Sequence, residues 1–197
     1  MEMTKMMFEQ KQPKVVVCKS GRAMVLLNER EVKSVEQVPA GMTEEGKMQY
    51  EEKEKTEYAY DVCWLDDVQQ EAEALGAAKA EVLAAIESYD ASDSVNGLVV
   101  NGQRGWLDKA TRVGLMNGVG VAKACGMERM SLWIDGREYV MDVARLEELL
   151  VKVEVYAMGC YNVTAGHRRA VEGLTTVEAV LGYDFKAGYP QMVSVVV

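Results

Sequence analysis

Two stretches of this chain share one pattern in different letters: Val100-Asn101-Gly102-Gln103-Arg104-Gly105-Trp106-Leu107-Asp108 and Ile134-Asp135-Gly136-Arg137-Glu138-Tyr139-Val140-Met141-Asp142. In each, an Asn-Gly or Asp-Gly pair separates two extended runs, and an Asp seven positions after the first turn residue precedes a segment of helical spacing. Asn-Gly and Asp-Gly supply the two successive positive-φ positions of a type I′ turn. An Asp ahead of a helix accepts hydrogen bonds from the orphan N–H groups of its first turn. The pattern therefore predicts two β-hairpins, with Asn101-Gly102 and Asp135-Gly136 as turns, each feeding a helix capped by Asp108 or Asp142.

Ahead of this pair the spacing is that of strands. Residues 1 to about 13 have no period, end at Pro13 and read as a loose arm. Val15 to Cys18 and Ala23 to Leu27, joined through Ser20-Gly21, read as a hairpin, with a third run from Val32 to Val38 that stops at Pro39-Ala40-Gly41. The charged stretch Met42 to Lys55 reads as a solvated loop. Strict alternation then places Tyr58, Tyr60, Val62 and Trp64 on one face of a half-buried strand. From Asp66 or Asp67 the period becomes helical, through Val68, Ala72, Leu75, Val82 and Ile86 to Tyr89-Asp90. A second helix after Asp108 is read on Ala110, Val113, Met116 and Val121, ending at Cys125 with Gly126 beyond it. The third and longest places Val143, Leu146, Leu149, Leu150, Val153, Ala157, Cys160, Thr164 and Val171 on one seam. Gly173 closes it, Thr175 or Thr176 caps a short helix through Leu181, and the apolar end Val195-Val196-Val197 is a strand or a docking segment.

The expected class is α+β: a small N-terminal antiparallel β-sheet over residues 1–65, then an α-helical domain over 66–197. That domain has three main helices, a short C-terminal one and two inserted β-hairpins. At 197 residues and 49% hydrophobic the chain can bury a substantial core. Thirteen Met against two Phe suggest that flexible side chains fill it. A net charge of -9 argues against nucleic acid or an anionic membrane surface as partner, and no leader or apolar membrane span is evident. Cys18, Cys63, Cys125 and Cys160 are widely spaced beside a single His, which is not a zinc pattern; reduced, mostly buried thiols are expected.

Candidate chemistries are weak when weighed against structural readings. Gly114, Gly118 and Gly120 ahead of Lys123 match neither the P-loop nor the dinucleotide fingerprint, and close helix packing is the preferred explanation for them. His167 lies near the seam of the long helix, two turns from Cys160, and reads as a structural histidine tying that helix to a loop. Carboxylate pairs such as Asp90 with Asp93, or Asp108 with Asp142, are too easily found in an acidic chain to mark a glycosidase. Trp106, Trp133, Tyr156 and Tyr161 fit a core, or the lining of a carbohydrate or peptide groove.

The ordered string Tyr89-Asp90-Ala91-Ser92, Val95-Asn96, Trp106-Leu107-Asp108 with Arg112, Tyr156-Ala157, Cys160-Tyr161, His167, Leu174-Thr175-Thr176-Val177-Glu178 and Tyr183-Asp184 with Gly188-Tyr189-Pro190 resembles domain-of-unknown-function family 4376. The resemblance covers roughly residues 68 to 192. That family occurs in phages and prophage regions, often in proteins associated with tail fibres, and carries no catalytic residues to transfer. It implies a non-enzymatic structural or adaptor protein without a cofactor or metal, cytoplasmic in the producing bacterium or virion-associated, with tail components or copies of itself as partners. Two other classes stay open: a carbohydrate or small-ligand module using Trp106 and Trp133, and a hydrolase using His167. Trp106, Trp133 and His167 are the residues expected on a ligand or partner surface.

Overall fold

The structure is a computed structural model that describes residues 3–42 and 47–197. In chain order it has strands β1 (Thr4–Phe8), β2 (Val15–Val17), β3 (Arg22–Met42) and β4 (Met48–Asp66), a 3-10 turn at Glu71–Glu73 and helix α1 (Ala74–Asp90). There follow β5 (Leu98–Val100), β6 (Gln103–Gly105), α2 (Lys109–Ala124), β7 (Arg129–Ile134), β8 (Arg137–Asp142), α3 (Val143–Gly173), α4 (Val177–Leu181) and β9 (Val193–Val195). The fold is mixed α+β, with the N-terminal antiparallel sheet, the helices and the additional hairpins expected from the sequence. By packing, the chain forms two compact units, Met1–Val82 with Leu174–Gly182, and Leu83–Gly173 with Tyr183–Val197. Residue 65 marks where the sequence period changes; the packing boundary falls later, inside α1.

In the first unit the strand order is β1-β4-β3-β2, antiparallel throughout. Three expectations are corrected here. The supposed loose arm contains β1, paired with β4 from Thr4↔Val62 to Phe8↔Tyr58. The runs at Ala23–Leu27 and Val32–Val38 are one strand, β3, continuous across a bulge at Asn28, whose φ is 53°. The charged loop proves to be strand from Met48 onward, while its residues 43–46 lie outside the described ones. The Asp61 carboxylate holds the bulge, accepting from Asn28 Nδ2 at 2.9 Å and Arg30 Nη2 at 2.7 Å. The hydrogen bond from Asn28, with Arg30 beside it, lowers the Asp61 pKa. On one face of the sheet Met24, Leu26, Tyr60 and Val62 are buried, with Phe8, Val16, Tyr58 and Trp64 packed against them.

The helix after this sheet starts later than its pattern suggests. Asp67 takes φ 57°, and the Glu73 carboxylate accepts from the backbone N–H groups of Gln69 and Gln70 at 2.8 and 3.3 Å. This satisfies orphan donors at the start of the 3-10 turn. The buried stripe is Ala74, Ala78, Val82 and Ile86; Ala72 is exposed and Leu75 only half-buried.

The second unit is organised by α3. Its 31 residues span roughly 46 Å at 1.5 Å per residue. The buried seam follows the sequence reading except that Tyr156, not Ala157, is the buried residue at that turn. Leu146, Leu149, Leu150 and Val153 share a core with Leu98, Val100, Leu132, Ile134 and Met141 of the strands and with Val119 and Ala122 of α2. The C-terminal segment supplies β9, parallel to β5 with Val100 opposite Val195.

In α2 the sequence stripe is inverted. Val113, Met116 and Val121 are exposed, and the buried residues are Arg112, Val119 and Ala122. The reason is Arg112: a charged residue sits at a core-facing position, so counting apolar positions selects the wrong face. The glycines do not serve close packing either. A Cβ at Gly114 or Gly120 would meet nothing within 4 Å, and one at Gly118 only Met130 Cε at an ordinary 3.5 Å. The methionine reading also fails, because Met24 and Met141 are buried whereas Met3, Met6, Met7, Met42, Met48, Met116, Met127 and Met158 are exposed. Among the described residues no helix is long and apolar enough to cross a membrane.

Open helical glycines carry an entropic cost that nothing in α2 offsets. Gly114→Ala and Gly120→Ala should each stabilise the protein by up to about 1 kcal/mol, seen as additive increases in Tm by circular dichroism.

Candidate functional site

The hairpin residues fall in two tight turns. Asn101 and Gly102 have φ of 50° and 77°, and Asp135 and Gly136 have 48° and 76°, the successive positive values of a type I′ turn. Asp108 accepts from Thr111 N–H at 2.8 Å and from its hydroxyl at 3.0 Å at the start of α2. These hydrogen bonds, the backbone one foremost, lower its pKa. Asp142 stands differently. It is the last residue of β8, opposite Arg129, whose Nε lies 3.8 Å from its carboxylate, and the first helical N–H, that of Val143, goes to Glu128 O at 2.9 Å.

Hairpin β5–β6 leads into a buried guanidinium. Arg112 is 7% exposed; its Nη1 donates to Leu107 O at 2.7 Å and its Nε to Glu154 Oε2 at 2.7 Å. The guanidinium also lies 5.3 Å from the Trp106 ring centroid, and Trp106 meets Tyr156 edge-on at 6.2 Å. One side chain thus joins the linker after β6 to α2 and α3. The Tyr156 hydroxyl donates to Val95 O at 2.6 Å, and burial raises its pKa, which keeps it a neutral donor.

A second network holds the C-terminal segment. Thr164, buried on α3, donates its hydroxyl proton to Asp90 Oδ1 at 2.6 Å, so the Tyr189 hydroxyl 2.9 Å away must be the donor to Thr164. Asn96 Nδ2 donates to Asp90 O at 2.8 Å. His167 Nε2 lies 2.9 Å from the Ala187 carbonyl, which can only accept, so this nitrogen carries the proton. In the neutral ring Nδ1 then accepts from the Tyr183 hydroxyl at 2.8 Å. The ring also stacks, tilted, on Tyr189 at 5.7 Å. Both imidazole nitrogens are engaged in tying α3 to the segment after α4, and burial raises the thiol pKa of Cys160.

Two open clefts on this unit lie beside these networks. One, of about 410 Å³, lies between α2 and α3 over the Arg112–Glu154 pair, with Lys109, Met158 and Tyr161 on its walls. The other, of about 270 Å³, brings Trp106 together with Asp93, Asn96, Arg104 and Asp135. Gly105 is needed there: a Cβ would sit 2.3 Å from Ile134 Cγ2 and 2.9 Å from Asp135 Oδ2, so only glycine lets the two hairpins approach. Trp133 is not part of this cleft; it is 60% exposed on β7, and Tyr161 is 73% exposed on α3, so neither joins the core.

The supposed phosphate segment is uninterrupted helix, and Lys123 is hydrogen-bonded to Glu147. Of the imagined carboxylate pairs, Asp90 is engaged by Thr164, Asp108 by Thr111 and Asp142 by Arg129. Among the described residues no group of three or more His, Cys, Asp or Glu is placed to hold a metal ion. Cys63 and Cys160 are buried, Cys18 is half-buried and Cys125 exposed, all as free thiols. The residues of the Asp90–Thr164–Tyr189 network lie up to 99 positions apart, and its one signal in the sequence is Thr164 on an otherwise apolar seam. No family model, no curated protein and no solved structure matches the chain.

The Arg112 arrangement makes an asymmetric prediction. Arg112→Met leaves the Leu107 carbonyl without its buried donor and should cost about 2 kcal/mol. Glu154→Gln should cost less, on the order of 1 kcal/mol, because the glutamine carbonyl can still accept from Arg112 Nε and the bond to Leu107 O is untouched. Urea denaturation of the two variants measures the difference.

Proposed function

We propose that this chain is a non-enzymatic structural or adaptor protein of phage or prophage origin, similar to tail-associated components, that acts through protein–protein contacts. The observation that carries this reading is the outer part of the β3–β4 ribbon. β2 pairs with β3 only at Ala23–Val25, and β1 with β4 only at Tyr58–Val62. Beyond those residues β3 runs on to Met42 and β4 starts at Met48, and among the described residues they pair only with each other from Val32↔Glu57 to Met42↔Met48. Val32 to Met42 is roughly 35 Å of strand, exposed at nearly every position. A two-stranded ribbon with both edges open is marginal on its own in water, and its unpaired backbone groups form a template for another strand. Val35, Met42, Met48 and Tyr50 are exposed along it. Such an element contributes little to the core that carries it and is explained by a partner protein.

The family resemblance of the sequence supports the phage setting, and the engagement of both His167 nitrogens favours a structural histidine over a hydrolytic one. A ribbon-shortened chain, with residues 36–53 replaced by an Asn-Gly turn between the paired Val35 and Glu54, should keep its thermal transition. It should also lose binding to the products of neighbouring genes, followed by light scattering and electron microscopy. A full-length chain that stays monomeric and binds none of them contradicts the reading.

The Trp106 cleft supports a second reading, as a carbohydrate module. An indole beside Asp93, Asn96, Arg104 and Asp135 offers the apolar face and polar groups a sugar ring requires. Tryptophan fluorescence titrated with a glycan panel should then shift in the wild type and not in Trp106→Phe; a flat response to every sugar removes this reading.

A further inference from the structure

We infer that the outer face of α2 and α3 is a self-association surface, on which two copies of the chain pair through antiparallel α3 helices about a two-fold axis near Met158. The inference rests on the reading of the chain as one that works through protein contacts, but not on the partner of the ribbon. Two side-chain bridges, Arg112 to Glu154 and Lys123 to Glu147, lay α2 antiparallel along the N-terminal half of α3. With the buried seams of both helices turned to the core, their other faces point to solvent, and among the charged residues there they carry exposed apolar side chains: Val113 and Met116 on α2, and Val151, Val155, Met158 and Tyr161 on α3. Val155 is 64% exposed and Met158 59%. Together the six side chains leave on the order of 600 Å² open, the upper end of the largest apolar patch on an ordinary monomer and most of the ~800 Å² each partner buries in a stable interface.

The charges select the occupant. Along α3 the exposed stripe reads Glu148, Val151, Val155, Met158 and Asn162, then the small Ala165 and Gly166, and Arg169, all within a face of helical spacing. The acidic end, the apolar middle and the basic end span roughly 31 Å. Glu148 and Arg169 are exposed, and neither takes an ion pair among the described residues. A stripe of this kind is complementary to itself when reversed. In an isologous pairing, each residue i that meets j of the second copy is matched by j meeting i. Glu148 and Arg169 lie equally far from the midpoint at residues 158–159, so one antiparallel register sets both Glu–Arg pairs together and seats Met158 at the axis. In the same register the C-terminal half of each stripe, with Tyr161, faces the second copy's cleft between α2 and α3, which is open in the single chain.

Sedimentation velocity of the full chain tests this. The wild type should sediment as a dimer at about 100 µM and dissociate on dilution, a micromolar affinity. Val155→Glu should be a folded monomer by circular dichroism, and Val121→Glu, on the far side of α2, should behave as the wild type. Glu148→Arg and Arg169→Glu should each weaken the dimer roughly tenfold, by placing like charges opposite one another. The double variant should restore wild-type behaviour, because each copy then carries the swapped pair in the same order. A monomeric wild type, a dimeric Val155→Glu chain, or a double variant no stronger than the singles overturns the proposal. The ribbon-shortened chain separates the two readings: it should still dimerise, so a monomeric wild type that binds neighbouring gene products refutes the dimer alone, and a dimer that binds none of them refutes the adaptor.

Discussion

The second unit is built on one face of one helix. Leu146, Leu149, Leu150 and Val153 of α3 meet residues of β5, β7, β8 and α2 in a single core, and each fully buried aliphatic side chain contributes about 1.5–3 kcal/mol. Because these positions recur at helical spacing, the seam fixes the rotation of α3 about its axis. It also decides which side chains remain outside. The β5–β6 and β7–β8 hairpins are defined locally by their type I′ turns. The seam determines only where they dock, and Gly105 lets them dock closely.

Two polar groups complete what the apolar seam leaves undone. Arg112 reaches a carbonyl in the linker after β6 and a carboxylate on α3, so α2 cannot slide along α3 without stranding a buried cation. Thr164, the one polar buried residue of the α3 seam, positions Asp90 and Tyr189. Buried polar groups with complete partner sets specify one arrangement among many that apolar packing would tolerate. No buried side-chain nitrogen or oxygen lacks a partner among the described residues. The first unit is organised differently, with a packed sheet at one end of β3 and β4 and an open ribbon at the other, divided by the Asn28 bulge that Asp61 clamps. A bulge re-aims a strand, and here it lies where side chains change from buried to exposed.

The parts that could be read in the sequence are those with local causes. Asn101-Gly102 and Asp135-Gly136 determine turns within four residues, Asp108 and Thr176 cap helices through bonds to residues three positions on, and the α3 seam repeats often enough to be unmistakable. The parts misread have causes distant in sequence or lack an apolar face. The stretch Met48 to Lys55 alternates among charged residues and is a strand because β3 pairs with it; β1 is a strand because β4 offers an edge. In α2 a single buried arginine reverses the apparent face, and nothing within the helix reveals that the Leu107 carbonyl and Glu154 await it. Asp142 resembles Asp108 in every local respect, yet it ends a strand opposite Arg129. The exposed methionines belong with these errors. Composition shows that a chain has many flexible apolar side chains, but only packing shows that they lie outside the core.

Those exposed apolar side chains bear on how association can be driven. Two copies carrying -9 each repel at long range, although at physiological ionic strength the repulsion is screened beyond about 8 Å. Glu148–Arg169 contacts at the rim of an interface are screened as well and are worth little individually. Affinity must therefore come from burying Val151, Val155, Met158 and Tyr161, while the charges determine direction. A parallel pairing buries similar apolar surface but sets Glu148 against Glu148 and Arg169 against Arg169. The sign pattern along α3 thus acts mainly by excluding the wrong orientation, and methionine, whose flexible thioether adapts to irregular neighbours, suits the position nearest the axis, where a side chain must pack against its own copy.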